Sequence, residues 1–284
     1  WGRGGWGQLG HATESSRSHP ALMESLLGKG VQMVACGREH ALAIVESGET
    51  YVWGRGHNGR LGTGKTDHEL APVPLLSSSS GDPCVFFGAS CGGAHSVAIT
   101  EDGRAFVWGL NSHGQLGLGH TADEHRPVPL RGLGGVAVST VAAGFSHTAV
   151  VTGDGRLFTF GSGSSGKLGH GSLGSNSSPR QVQTFAGQRV EAVACGDHHT
   201  LAVTDEGSLY AWGWNGLGCL GLGDTRARWR PQRVRAVGHV RVVGVAAGAA
   251  HSACVVEARL GSRASQRIWS SRGGAEDGGE EASA

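Results

Sequence analysis

Trp108-Gly-Leu-Asn-Ser-His-Gly-Gln-Leu-Gly-Leu-Gly119 is the stretch on which the fold turns. It sets an aromatic-glycine pair a fixed distance ahead of a leucine-glycine pair. The same two pairs recur at Trp1-Gly2 with Leu9-Gly10, Trp53-Gly54 with Leu61-Gly62, Phe160-Gly161 with Leu168-Gly169, and Trp212-Gly213 with Leu220-Gly221. Successive copies are 52, 55, 52 and 52 residues apart. A third marker, Gly-x-x-His, keeps the register at Gly37/His40, Gly92/His95, Gly144/His147, Gly196/His199 and Gly248/His251. Three independent markers in one register establish an internal repeat, and a repeat of this length is one supersecondary unit stacked on its neighbours.

Each unit reads as four short strands. The first is small and β-branched, as in Val190-Glu-Ala-Val-Ala194; the second alternates after the histidine, as in His199-Thr-Leu-Ala-Val203. Asp102-Gly103, Asp154-Gly155 and Glu206-Gly207 mark the hairpin that follows. The third strand ends on the aromatic, as in Ser208-Leu-Tyr-Ala-Trp212, and the fourth starts near proline, as in Pro127-Val-Pro-Leu130. Proline belongs on an edge, so the fourth strand is expected outermost. One such sheet cannot bury both faces, whereas stacking the sheets radially can. The expected fold is therefore all-β, a β-propeller of four-stranded blades with about five repeat units. It is either a complete five-bladed ring or an arc of a larger propeller. Residues 1–257 form the repeat region, and 258–284 a degenerate last repeat, with Arg267-Ile268-Trp269 as a distorted third strand, and a disordered acidic Gly/Ala tail.

Composition agrees. Glycine supplies 51 of 284 residues without a three-residue period, so the excess belongs to turns and not to collagen. The net charge of +1 gives no global pull toward nucleic acid or an anionic membrane, and no apolar run approaches the ~20 residues that span a bilayer. The cysteines form no CxxC pair, which argues against zinc. Cys36, Cys91 and Cys195 share a repeat position with Ala143 and Ala247, so small buried side chains and free thiols are expected there.

The pattern W-G-x-n-x-x-G-Q-L-G-x-G, then P-x-x-V, then V-x-x-V-A-x-G-x-x-H resembles the repeat of the regulator-of-chromosome-condensation family, over about residues 1–257. The resemblance implies a propeller, typically of seven blades. It also implies a choice of jobs. The founding member exchanges guanine nucleotide on a small nuclear GTPase and docks on nucleosomes; other members are domains of giant HECT-type ubiquitin ligases, ciliary scaffolds, or a plant ultraviolet-B photoreceptor. Fold alone does not choose among them. The photoreceptor's tryptophan after the glycine of G-x-x-H has no counterpart in this chain.

Two motifs imitate catalytic ones. Gly59-Arg-Leu-Gly-Thr-Gly64-Lys65-Thr66 matches a phosphate-binding loop, but that chemistry needs a helix next, and Pro72 and Pro74 follow instead. Its glycines align with Gly7, Gly114, Gly166 and Gly218, whereas Lys65 aligns with Thr13, His120, Ser172 and Asp224. The glycines belong to the repeat and the lysine is incidental. Gly54-x-Gly56-x-x-Gly59 and Gly161-x-Gly163-x-x-Gly166 imitate a dinucleotide fingerprint without opening a helix. The motif histidines are spread one per unit, cannot converge on one metal, and are expected to bond backbone at strand starts. No catalytic residue, metal or cofactor is expected, and the chain is read as a non-enzyme.

Function is sought where units differ, because shared residues build the scaffold. The loops after Leu-Gly differ most. One carries Asp67, another Asp123, and the last Asp224 followed by Arg226, Arg228, Trp229, Arg230, Arg233 and Arg235. Arginines around an aromatic suit phosphate or an acidic partner. If extended, the segment would turn Arg226, Arg228 and Arg230 to one side and Trp229 toward the blade. The expected function is a protein-interaction propeller, a scaffold or ubiquitin-ligase-associated module binding protein partners through blade loops. The alternative is a guanine-nucleotide exchange factor for a small GTPase, meeting nucleic acid only indirectly via chromatin. No unit carries the long hairpin that wedge-type exchange uses. A cytoplasmic or nuclear site without membrane contact is expected.

Overall fold

The computed structural model describes residues 1–81 and 83–257; the expected degenerate repeat and tail at 258–284 lie outside the described residues. Four four-stranded antiparallel sheets and one two-stranded sheet form, each in simple sequence order. Blade 1 is β1 (Val31–Cys36), β2 (His40–Val45), β3 (Thr50–Gly54) and β4 (Glu69–Pro74). Blade 2 is β5 (Gly88–Cys91), β6 (His95–Ile99), β7 (Ala105–Gly109) and β8 (Glu124–Pro129). Blade 3 is β9 (Val138–Ala143), β10 (His147–Thr152), β11 (Leu157–Gly161) and β12 (Asn176–Gln181). Blade 4 is β13 (Val190–Cys195), β14 (His199–Thr204), β15 (Leu209–Gly213) and β16 (Arg228–Arg233), and a half-blade follows, β17 (Val242–Ala247) with β18 (Ser252–Val256). No helix among the described residues is long and apolar enough to cross a membrane.

The first strands pack side by side around an axis, each against the first strand of the next blade. The fourth strands lie outermost, where the prolines deny the ladder nothing. They begin earlier than the prolines suggest, β8 at Glu124, because a register irregularity lets the strand rejoin its partner before Pro127. The Asp-Gly hairpins also differ in detail: Gly103 has φ +79 while Asp102 is not left-handed, so this turn is not the two-residue mirror type. At the N-terminus Gly2 pairs with Arg17, as Gly54 pairs with Glu69 between the third and fourth strands of blade 1. Of the two closures the sequence leaves open, the described residues form an arc. Elsewhere the motif histidine pairs with the glycine ending a third strand, as His147 does with Gly161; among the described residues β18 has only β17 as strand partner.

Neighbouring blades are joined by a repeated relay. His40 Nε2 meets Ser96 Oγ at 2.9 Å, and that hydroxyl donates to the Arg60 carbonyl at 2.9 Å. His95 meets Thr148, which donates to Gln115 O; His147 meets Thr200, which donates to Lys167 O; His199 meets Ser252, which donates to Cys219 O. Because each hydroxyl spends its proton on a carbonyl, it accepts from the imidazole, so the proton sits on Nε2. The histidines thus bond a side chain of the next blade, and the expectation of a backbone partner is corrected. Burial holds His40 down to about 3 and His95 to about 4, with the nearby Arg60 charge adding to each, and desolvation keeps His147 well below its ordinary value.

The same carbonyls receive the third-strand indole. Trp108 Nε1 donates to Arg60 O at 3.0 Å, and Trp212 Nε1 to Lys167 O at 2.9 Å. The glycine of the preceding Leu-Gly pair admits the ring: a Cβ on Gly62 would lie 2.9 Å from Trp108 Nε1. The glycine after the aromatic is required by conformation, with Gly109 at φ +104. Around these rings the core is interleaved from adjacent blades. Phe160 and Phe158 of blade 3, for example, pack with Val97, Val107, Leu116 and Leu130 of blade 2 and its loops.

The cysteines at the shared position are free thiols. Cys91 is buried, its thiol pushed up to about 12 by desolvation. Cys36 is exposed, against expectation, because β1 has an inner-strand neighbour on one side only among the described residues.

Candidate partner-binding face

The histidine that starts each second strand pairs with the glycine that ends the third. The Gly-x-x-His turns and the loops after Leu-Gly therefore share one face of the arc, with the Asp-Gly hairpins on the other. On the axis, the Gly-x-x-His turns surround a cavity of about 640 Å³. Arg38 of blade 1 reaches across it, its guanidinium 5.3 Å from the ring centre of Phe145 in blade 3. Phe145 in turn lies 6.4 Å from the ring of His198.

Farther out, blade 1 builds a charged corner. Glu39 accepts from Arg55 Nη1 at 2.7 Å and lies 3.5 Å from Arg60 Nη1. Burial works against ionisation of Glu39, but the bond to Arg55 and the surrounding guanidinium charge prevail and hold its carboxyl below the usual range. Arg55 stacks 4.5 Å over Trp6. His57 and His68 stand beside that indole with ring centres 4.8 Å apart. Each histidine accepts an N–H on Nδ1, from Arg55 and from Gly56 respectively, so each presents Nε2 as a donor. This pair is not disposed to ligate a metal.

The three aspartates have unequal fates. Asp67 is exposed. Asp123 is spent on structure, accepting from Asn111 N at 2.8 Å and from Asn58 Nδ2 of the preceding blade at 2.9 Å. Asp224 holds Arg228 Nη2 at 2.6 Å and the Arg226 amide at 2.9 Å, and the Arg228 bond lowers its pKa. The arginines form a stripe and not one cluster. Arg226 precedes β16, Arg228 is tied to Asp224, Arg233 faces Tyr210 across the ladder, and Arg235 opens the next 3-10 turn. The expected one-sided trio of Arg226, Arg228 and Arg230 is therefore corrected: the strand starts too late and an irregularity follows Arg228. Trp229 is 48% exposed. It lies against blade 3 and not its own blade, since a Cβ on Gly166 would fall 2.6 Å from its Cδ1. Its carbonyl accepts from Gly171 N at 2.7 Å, and Arg230 lies over the same glycine.

Arg38, Phe145, Trp6, Arg55 and His57 lie outside the loops after Leu-Gly, at other positions where the units disagree. His68 lies within one of those loops, beside Asp67. The apparent phosphate loop ends as the repeat requires: residues 63–68 are bends and coil, and β4 follows in place of a helix. Lys65 is exposed. Lys65→Ala is expected to cost under about 0.5 kcal/mol and to leave behaviour toward ATP and GTP unchanged. Calorimetry showing micromolar binding of either nucleotide, lost in this variant, would contradict that.

Comparison with known proteins places this geometry. Ultraviolet-B receptor UVR8 of Arabidopsis thaliana is 36% identical over 262 residues, covering 90% of this chain and 58% of that protein. Human E3 ubiquitin-protein ligase HERC2 is 36% identical over 252 residues, covering 89% of this chain and 5% of that protein. The chain thus spans little more than half of one relative and a small part of the other. Among solved structures, human WBSCR16 matches with a TM-score of 0.79 at 29% identity, covering 90% of this chain and 66% of that one. Prp20p of Saccharomyces cerevisiae matches in fold with a TM-score of 0.76 at 23% identity, covering 88% of this chain and 61% of that one. A family model for the RCC1-like domain matches residues 1–254, and the chain belongs to that family.

Proposed function

We propose that this RCC1-like propeller is a protein-interaction module without catalytic chemistry, engaging an acidic partner through the outer edge of blade 4 and the adjoining loop face. One observation carries the reading. Arg226, Arg230, Arg233 and Arg235 are exposed and form no ion pair among the described residues, and they flank a half-exposed tryptophan pinned to a rigid blade edge. Charge without an internal partner, next to a preorganised aromatic, is how binding anchors are built. The relatives support the reading. HERC2 is a ubiquitin ligase, Prp20p has binding properties toward Gsp1p and histones, and Kap60 binds yeast RCC1. The exchange-factor alternative draws less support, since Asp123 and Asp224 are engaged in holding their own loops.

Charge reversal tests this, sparing Arg228 because it holds its loop. Arg226→Glu, Arg230→Glu and Arg233→Glu together are expected to weaken capture of acidic partners at least about tenfold and to flatten the salt dependence of binding. The melting temperature should scarcely move. Unchanged affinity across salt in a folded variant would mean the stripe is only a solvated edge.

A further inference from the structure

Register-equivalent positions allow one blade to be compared with another. In blade 1 three of them hold Glu39, Arg55 and Arg60; two repeats on, blade 3 holds Ser146, Ser162 and Lys167. In blade 1 the burial of Arg60, 5% exposed, is compensated by the Glu39 carboxylate. In blade 3 the Lys167 ammonium is buried further, 1% exposed, and among the described residues it forms no ion pair. Its Nζ donates to Ser146 Oγ at 3.1 Å and to Ser164 Oγ at 2.9 Å. Desolvation lowers its pKa to about 8, opposed only by longer-range effects of Asp197 and Cys195. Hydroxyls solvate an ammonium without neutralising it, and a buried charge lacking its counter-charge is costly. All three positions carry shorter side chains than in blade 1, and the one that holds the Glu39 carboxylate there holds the Ser146 hydroxyl here. Ser164 is exposed on the 3-10 turn Ser164–Gly166, so the ammonium lies one side chain beneath the loop face.

We propose that the Lys167 site of blade 3 receives a carboxylate from a binding partner, an Asp or Glu side chain that does for Lys167 what Glu39 does for Arg60. The assignment rests on the partner-binding reading above and gives it a second contact point, separate from the arginine stripe. A single ammonium flanked by hydroxyls matches one negative charge, and the occupant in blade 1 is itself a carboxylate. Both considerations favour a carboxylate over a phosphate.

The test follows the Lys167 amine by NMR in the full chain, titrated with sodium acetate, with sodium phosphate, and with sodium chloride at equal ionic strength. A parallel titration uses N-acetyl-glutamate N-methylamide, which carries its carboxylate as a protein does. The glutamate amide and acetate are each expected to raise the Lys167 pKa by about one unit or more, with the glutamate amide acting at the lower concentration and chloride acting hardly at all. Ser146→Glu supplies the carboxylate internally, and should raise the same pKa unaided and abolish the response to acetate. A Lys167 signal unmoved by either carboxylate overturns the site. A response to phosphate alone overturns its chemistry, and a response to acetate but not the glutamate amide overturns its source. Should Ser146→Glu not fold, the titrations of the unchanged chain still decide. No partner protein is present, so a negative result here leaves the arginine-stripe reading standing.

Discussion

Acidification from about pH 7 to about pH 5 is expected to remove about 6 kcal/mol of stability, chiefly through three buried histidines. His40, His95 and His147 are fully buried, and among the described residues their Nδ1 atoms have no hydrogen-bond partner. Protonation there would place an unsatisfied charged N–H in the core, which is why His40 and His95 stay neutral down to about 3 and about 4. The unfolded chain takes up those protons below ~6.5 while the folded chain does not. Each such histidine therefore contributes stability that is complete above the unfolded value and is lost as pH falls toward the folded one. The loss is about 1.4 kcal/mol per pH unit per proton, or roughly 2 kcal/mol for each histidine over this interval. His199 is shifted the same way, burial being the main cause, and adds in the same direction. Urea denaturation across a pH series, read as the change in unfolding free energy with pH, measures the number of protons taken up. Fewer than about two protons per molecule near pH 5.5 would mean the imidazoles are not held neutral.

Trp108→Ala should cost about 3–5 kcal/mol, the range for emptying a large aromatic site in a core. Trp108 is fully buried and stacks on Phe86, with ring centres 5.9 Å apart. It also donates to the Arg60 carbonyl that anchors the relay between blades 1 and 2. The change thus removes packing and a hydrogen bond from one interface at once. Blade 3 supplies a natural control, since Phe160 occupies the equivalent place with no N–H to donate. Trp108→Phe should accordingly cost less, about 2 kcal/mol, the bond together with part of the ring volume. Denaturant midpoints with unchanged slopes test both. A Trp108→Ala penalty as small as that of Trp108→Phe would show that the site collapses around the loss.

The fold was legible because its punctuation is steric. Gly62 and Gly109 cannot be replaced without striking a ring or a backbone, so they recur in strict register and mark the strands around them. Strand order and the outer place of the prolines followed from that register. The relay was half legible. The histidines were visible as a column, but their partners Ser96, Thr148, Thr200 and Ser252 sit one position along in the next unit, and sequence spacing does not say which blade a side chain will face. The site was least legible. Arg226, Arg228 and Arg230 alternate in sequence, yet a strand that begins at Arg228 and then shifts register does not keep them together. Lys167 passed unnoticed because its oddity lies in what surrounds it: serines where blade 1 places Glu39 and Arg55.

The relay also bears on descent. Each of its connections draws its histidine and carbonyl from one unit and its hydroxyl from the unit that follows. A blade duplicated whole and spliced in beside its parent brings both halves of the connection with it. It can serve the unit before and the unit after without a single new contact residue. A unit that carries both halves of the connection can therefore be gained or lost by unequal recombination without redesign of the joints it makes.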